Sequence, residues 1–253
     1  MKTYNSVGTI CLKGPCNLTY KLCKIEYILN EDETYKYIFT PNYSVMELLD
    51  SYYFQGIPGI NLDLKKEVYI RENRIPTFIS ERVPQKNRED YYELLEKVNM
   101  EYMDPILYLI RTTKKYSGDN LYVVPFEEKI TICLDEYKTN DITREIIKNI
   151  CLGNNIEYKN QLINDENRKE FHDLFLGIYS VTYNSNKAKQ KEGIEKAKKD
   201  GKYIGRKPIS VDKLRFLELL DEVNNKKITS KEAANKLGIS IDKYYRLRKE
   251  LQN

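Results

Sequence analysis

The sequence is poor in the residues that build metal and disulfide sites. It has one histidine, His172, and five cysteines, Cys11, Cys16, Cys23, Cys133 and Cys151, with no Cys-x-x-Cys pair. That set is a poor match to a structural zinc site, and an odd number of scattered thiols reads as reduced cysteines used as small hydrophobes. No metal or other cofactor is expected. No run approaches the ~20 apolar residues needed to cross a bilayer, so no membrane partner is expected. Met1-Lys2-Thr3-Tyr4 opens no apolar signal segment, and a cytoplasmic protein is the expectation.

What is present suits a folded chain. Of 253 residues, 41% are hydrophobic and 11% aromatic, enough for a core, while 32% are charged. The length allows one medium domain and a small one. The net charge of +4 conceals an asymmetry. Residues 187–253 hold 19 Lys/Arg against 10 Asp/Glu, a net of +9, whereas the remainder holds 23 against 28, a net of −5. A basic tail on an acidic body is the arrangement expected when one part alone approaches nucleic acid.

The patterning divides the chain into four regions. Residues 1–70 read as short strands and turns: Val7 to Leu12 and Tyr35 to Thr40 are β-branched and aromatic, bounded by Gly14-Pro15 and Pro41-Asn42. Residues 71–186 alternate in pattern and suggest an α/β body. Thr77-Phe78-Ile79 is a candidate strand, Asn87 to Asn99 a helix, Leu121 to Val124 a strand and Asp141 to Leu152 a helix. From Asn167 to about Asp200 a long helix or two helices in sequence are expected, with an apolar stripe of Phe171, Leu174, Phe175 and Ile178 giving way after Tyr183 to lysines. Residues 187–208 are then a basic linker helix and an arm, which Gly201, Gly205 and Pro208 break.

Residues 209–253 predict three helices. Asp212 caps the first, with Leu214 and Leu217 inward and Leu220 and Val223 as further candidates. Thr229 caps the second, and Glu232 completes a capping box. Ala233, Ala234 and Leu237 face inward, Gly238 turns the chain, Ile239 plugs the core and Ser240 caps the third helix. Ala-Ala-x-x-Leu-Gly-Ile-Ser before a helix rich in Tyr and Arg is a helix-turn-helix signal. Such a third helix enters the major groove of double-stranded DNA by its N-terminal half. That makes Asp242, Lys243 and Arg246 candidates for base edges and Tyr245 for phosphate, with Tyr244 equally suited to the core.

The segment Lys191-Glu192-Gly193-Ile194-Glu195-Lys196-Ala197-Lys198-Lys199-Asp200-Gly201-Lys202-Tyr203-Ile204-Gly205-Arg206-Lys207-Pro208 closely resembles the hinge of serine recombinases of the resolvase/invertase family. Residues 209–253 are similar to that family's helix-turn-helix, and the likeness covers about 63 residues in all. It implies a minor-groove arm at Gly205, Arg206 and Lys207, base reading by Asp242, Lys243 and Arg246, and a phosphate contact from Tyr245. Lys198, Lys202 and Ser240 complete the expected DNA-binding set.

The resemblance weakens toward the N-terminus. Asn87-Arg88 and Gly118-Asp119-Asn120-Leu121 are similar to family segments, but the catalytic pattern of a serine among arginines is missing. Tyr4-Asn5-Ser6 has no arginine beside it, and Glu127, Glu128 and Lys129 stand where arginines belong. No catalytic residue is assigned. The body is either a divergent, inactive relative of the resolvase fold or an unrelated α/β domain. Arg82 and Arg88 are either relics of a phosphate site or salt-bridge arginines. The leading expectation is a site-specific DNA-binding protein, a regulator or accessory factor of a mobile element. The alternatives are an active serine recombinase with a displaced site, and an interaction protein that the C-terminal module brings to DNA. Phe171 to Ile178 allow either a homodimer contact or packing on the body.

Overall fold

The computed structural model describes residues 4–113, 115, 116, 118–135, 141–202, 211–225 and 227–252. They divide into two units, 1–188 and 189–253.

The first unit starts as an antiparallel meander. Strand β1 (Tyr4–Lys13) leads through a short 3-10 turn at Pro15–Asn17 to β2 (Thr19–Leu29) and β3 (Tyr35–Pro41). Tyr20, Leu22, Ile25 and Tyr27 of β2 are buried, and β1 buries Ile10 and Leu12. Helix α1 (Tyr43–Met46) leads through a second 3-10 turn to β4 (Tyr69–Glu72), helix α2 (Thr77–Ser80), helix α3 (Tyr91–Glu96), helix α4 (Pro105–Thr112) and strand β5 (Tyr122–Pro125). All five strands form one antiparallel sheet in the order β4-β3-β2-β1-β5. Gly8 of β1 lies opposite Pro125, and a Cβ there would stand 2.7 Å from Val123 Cγ1, so β5 and α4 close against β1 only over a glycine.

A second sheet has the order β6-β7-β8, with β6 (Thr131–Cys133) and β7 (Asn155–Tyr158) parallel and β8 (Gln161–Ile163) antiparallel to β7. The parallel pair requires a crossover, which helix α5 (Ile142–Cys151) supplies. Asp141 caps it by accepting from Arg144 N, and Ile146, Ile147, Ile150 and Cys151 face the core. Helices α1, α4 and α5 all pack on β2. The unit is thus mixed α/β with an antiparallel main sheet.

Three expectations change. The divide at residue 70 disappears because β5, far along the chain, pairs with β1, merging 1–70 with 71–186. Thr77-Phe78-Ile79 is the helical turn α2 and not a strand, entered from Pro76 and burying both Phe78 and Ile79; a three-residue apolar run carries no period to separate the two states. The helix expected over Asn87 to Asn99 contracts to Tyr91–Glu96. Arg88 and Asp90 pair in the turn before it, and Asn99 adopts φ +54° after it.

Helix α6 (Arg168–Lys199) runs for 32 residues, the single-helix alternative of the two; of its expected stripe Phe171 and Phe175 pack on the core, while Leu174 and Ile178 are exposed. The second unit also contains α7 (Lys213–Asn224), α8 (Ser230–Lys236) and α9 (Ile241–Gln252). Asp212 caps α7 by accepting from Leu214 N at 2.9 Å. The inward stripe of α7 is Phe216 and Leu219, with Leu220 and Val223 partly buried. Leu214 and Leu217 instead lie outward, 74% and 47% exposed. At roughly 100° per residue, a stripe centred on Phe216 turns Leu214 to the far side of the helix and Leu217 to its flank.

The capping box at α8 is complete. Glu232 N donates to Thr229 Oγ1 at 3.2 Å, and Thr229 N donates to Glu232 Oε2 at 2.7 Å. Ala233 and Ala234 are buried, which lets the neighbouring helices approach closely. Gly238 takes φ +65° at the end of α8, Ile239 enters the core, and Ser240 Oγ accepts from Lys243 N at 3.3 Å. Tyr244 is fully buried against Phe216, with ring centroids 5.2 Å apart.

Candidate nucleic-acid interface

The burial of Tyr244 sets the rotation of α9, because the face opposite it must point outward. Asp242, Tyr245, Arg246 and Lys249 are all exposed, at the i, i+3, i+4, i+7 spacing of one helix face. Lys243 is half-buried on the flank and Ser240 is exposed at the N-cap. Of the expected residues, Ser240, Asp242, Lys243, Tyr245 and Arg246 therefore gather on the first turns of α9 and its cap. Lys249 is an addition, and the seven-residue interval from Asp242 carried the signal for it.

Helix α8 widens this surface. A concavity of about 490 Å³ between the two helices is lined by Lys231, Asn235, Ser240 and Tyr245 among others. Lys231 and Asn235 lie at i and i+4 on α8, and no motif in the sequence marks them. Here Tyr245 is 52% exposed, with its ring edge-on to Tyr244, so its hydroxyl end is available to a partner. The carboxylate of Glu232 is held below its usual range by the hydrogen bonds from Thr229, so the cap stays anionic at neutral pH.

Lys198 and Lys202 belong to a different element, the exposed end of α6 and the residues just past it; Lys202 Nζ stands 3.8 Å from Asp200. Around them α6 is nearly all polar, and a helix of that kind has no apolar face to pack with. The expected minor-groove arm, Gly205, Arg206 and Lys207, lies outside the described residues.

In the first unit several polar groups are engaged with one another. Ser6 Oγ donates to Asp104 at 2.9 Å and Tyr4 Oη donates to the same carboxylate at 2.5 Å, while Asp104 caps α4 by accepting from Leu107 N. Burial and this carboxylate push the Tyr4 phenol up, so it remains a proton donor. Arg111 lines the same hollow as Asp104.

Three arginines of the unit bond to protein groups. Arg82 is buried, donating to Phe78 O at 2.9 Å and pairing with Asp119, its guanidinium 4.1 Å from the Phe78 ring centroid. Arg88 is exposed and pairs with Asp90. Arg168, which no sequence motif marks, is fully buried. Its Nη1 donates to Ile150 O and Asn154 O and its Nη2 to Gly153 O, which closes the C-terminal end of α5.

His172 is likewise interior, bonded through Nε2 to Tyr20 Oη at 2.9 Å and through Nδ1 to Asp173 at 3.1 Å; burial lowers its pKa. Burial raises the thiols too, Cys11 and Cys151 to about 12, so neither is a thiolate at neutral pH. Among the described residues no three His, Cys, Asp or Glu side chains gather as a metal site, and no helix is long and apolar enough to cross a membrane.

Comparison with family models, with curated proteins and with solved structures returns no match for this chain.

Proposed function

We propose that the chain is a site-specific binder of double-stranded DNA, with α8 and α9 acting as a helix-turn-helix and α9 as the reading helix. The observation that carries this is the outward face of α9. Asp242, Tyr245, Arg246 and Lys249 project together from a helix whose opposite side is anchored by Tyr244, with Ile241 partly exposed at the edge of that stripe. A protruding helix with an Arg two turns in suits bidentate recognition of guanine, and each such pair contributes about 1–3 kcal/mol of base discrimination. Lys198 and Lys202 contribute phosphate contacts from the basic end of α6, and the resemblance of the segment ending at Pro208 assigns the intervening arm to the minor groove. On this reading the protein is a non-catalytic regulator or accessory factor associated with a mobile element. The hydrogen bond from Ser6 to the buried Asp104 carboxylate, together with the absence of an arginine beside Ser6 in the sequence, favours this non-catalytic reading.

The test is selection of bound fragments from genomic DNA by the purified full-length protein, then titration of the selected site. A binder contacting about 6 phosphates loses affinity with a log–log salt slope near −5. Arg246→Ala lowers the preference for the selected site about 10-fold, whereas Lys198→Ala weakens selected and random DNA equally. A flat salt dependence, or no enrichment from a folded protein, overturns the assignment.

A further inference from the structure

The first unit carries a cleft that the DNA-binding reading does not use. It is bounded by the end of β1, the Pro15–Asn17 turn, one side of α5 and one side of α6, and encloses about 350 Å³. Three cations line it, Lys13, Arg144 and Lys148, and among the described residues no carboxylate does. Arg144 and Lys148 sit at i and i+4 on α5 and so project from one side of that helix. Lys13 comes from across the cleft, its ammonium held 2.6 Å from Thr19 Oγ1. Lys148 has an acidic neighbour, Glu145 at 3.6 Å, on its own helix. Three cations lining one cleft in a body whose net charge is negative make a locally cationic surface.

The remaining wall is aromatic. Tyr179 and Tyr183 lie one turn apart on α6, ring centroids 6.1 Å from each other at 41°. Tyr179 packs against the core, which fixes it, and Tyr183 is half-exposed beside it. Both tyrosines line the same cleft as the three cations. The turn at the rim holds two consecutive non-glycine residues in the left-handed region, Cys16 at φ +52° and Asn17 at +60°.

From cations on one side, tyrosine faces on the other and a volume within the range of small-ligand pockets, we infer that this cleft binds a nucleotide: phosphate against Lys13, Arg144 and Lys148, base against Tyr179 and Tyr183. The nucleotide is either free or one residue of an exposed strand, since both present the same phosphate and ring. The site belongs to residues 13–183 and does not depend on α9 reading DNA.

Photolabelling of the full-length protein with 8-azidoadenosine 5′-monophosphate tests it, with the label mapped by mass spectrometry to the tryptic peptide 170–187 that carries both tyrosines. The label is expected to saturate, to be suppressed by excess adenosine monophosphate, and to weaken about 10-fold in the Arg144→Ala/Lys148→Ala double variant and comparably in Tyr183→Leu. Arg246→Ala leaves it unchanged, which separates this site from the reading helix. A single-stranded 12-nucleotide competitor acting at lower concentration than the mononucleotide identifies a strand as the source; competition by the mononucleotide alone identifies a free nucleotide. The inference is overturned by absence of saturable label on 170–187, by inorganic phosphate competing as well as the mononucleotide, or by unchanged labelling in both variants.

Discussion

Replacing Arg168 tests how the first unit is held together. Its guanidinium is fully buried and supplies the donors for three carbonyls, Ile150 O at 3.1 Å, Asn154 O at 2.9 Å and Gly153 O at 3.1 Å, besides reaching Asp165 Oδ1 at 2.8 Å. In Arg168→Ala each carbonyl loses a partner, at about 1–3 kcal/mol for a buried group left unsatisfied. Water entering the vacated space recovers part of this, and the ion pair adds little because the Asp165 side chain is 54% exposed. The expected loss is about 4 kcal/mol, near what removing one partner of a buried ion pair costs. Arg168→Lys keeps three donors on a single nitrogen, satisfies two of the carbonyls at best, and is expected to lose about 2 kcal/mol.

All five cysteines lie in the first unit, and Cys11, Cys23 and Cys151 are buried. Thiol labelling during urea unfolding therefore reports that unit alone, even when the second unit unfolds separately. A loss below about 1 kcal/mol in the alanine variant, or equal losses in the alanine and lysine variants, refutes the reasoning.

Three further outcomes are expected. Tyr244 Oη is buried with no hydrogen-bond partner among the described residues, so Tyr244→Phe is expected to be neutral or to stabilise α7–α9 by up to about 1 kcal/mol, read from amide exchange over 213–249; marked destabilisation would mean that the hydroxyl has a bonding partner. His172 has a folded pKa lowered by burial, so the unfolded chain takes up the proton first, and stability is full above the unfolded value of about 6.5 and falls as pH drops below it. Thiol-monitored stability should decline from pH 7.5 to 5.5, and His172→Gln should flatten that slope. Asp165 is pushed up by partial burial but pulled down further by hydrogen bonds from Lys129, Arg168 and Ser44, to about 2. Its contribution is present above about pH 4 and is lost as pH falls toward 2, so Asp165→Asn should remove acid sensitivity from that window in an acid-unfolding titration.

Much of the second unit was legible locally. Asp212, the Thr229–Glu232 box, Gly238 and Ser240 announce helix ends through chemistry confined to four or five residues, and each cap forms as expected. The exposure of Asp242, Tyr245 and Arg246 came from period alone. The register of α7 was not legible, because Leu214, Leu217, Leu219 and Leu220 offer two overlapping stripes and only packing of Phe216 on Tyr244 selects one.

In the first unit β1, β3 and the helices α5 and α6 could be read from β-branched runs and a 3.6-residue period, whereas β2, the middle strand of the meander, was not read. Tertiary structure alone decided that residues 8–11 pair with 122–125, that Phe78 and Ile79 lie on a helical turn, and that Arg82 and Arg168 are interior. It also decided that Lys13, Arg144 and Tyr183 share one cleft. Features that depend on neighbours a turn or a strand apart can be read directly from the order of residues. A charge becomes a buried strut or a ligand contact only when distant segments arrive around it, and that depends on the whole packing of the chain.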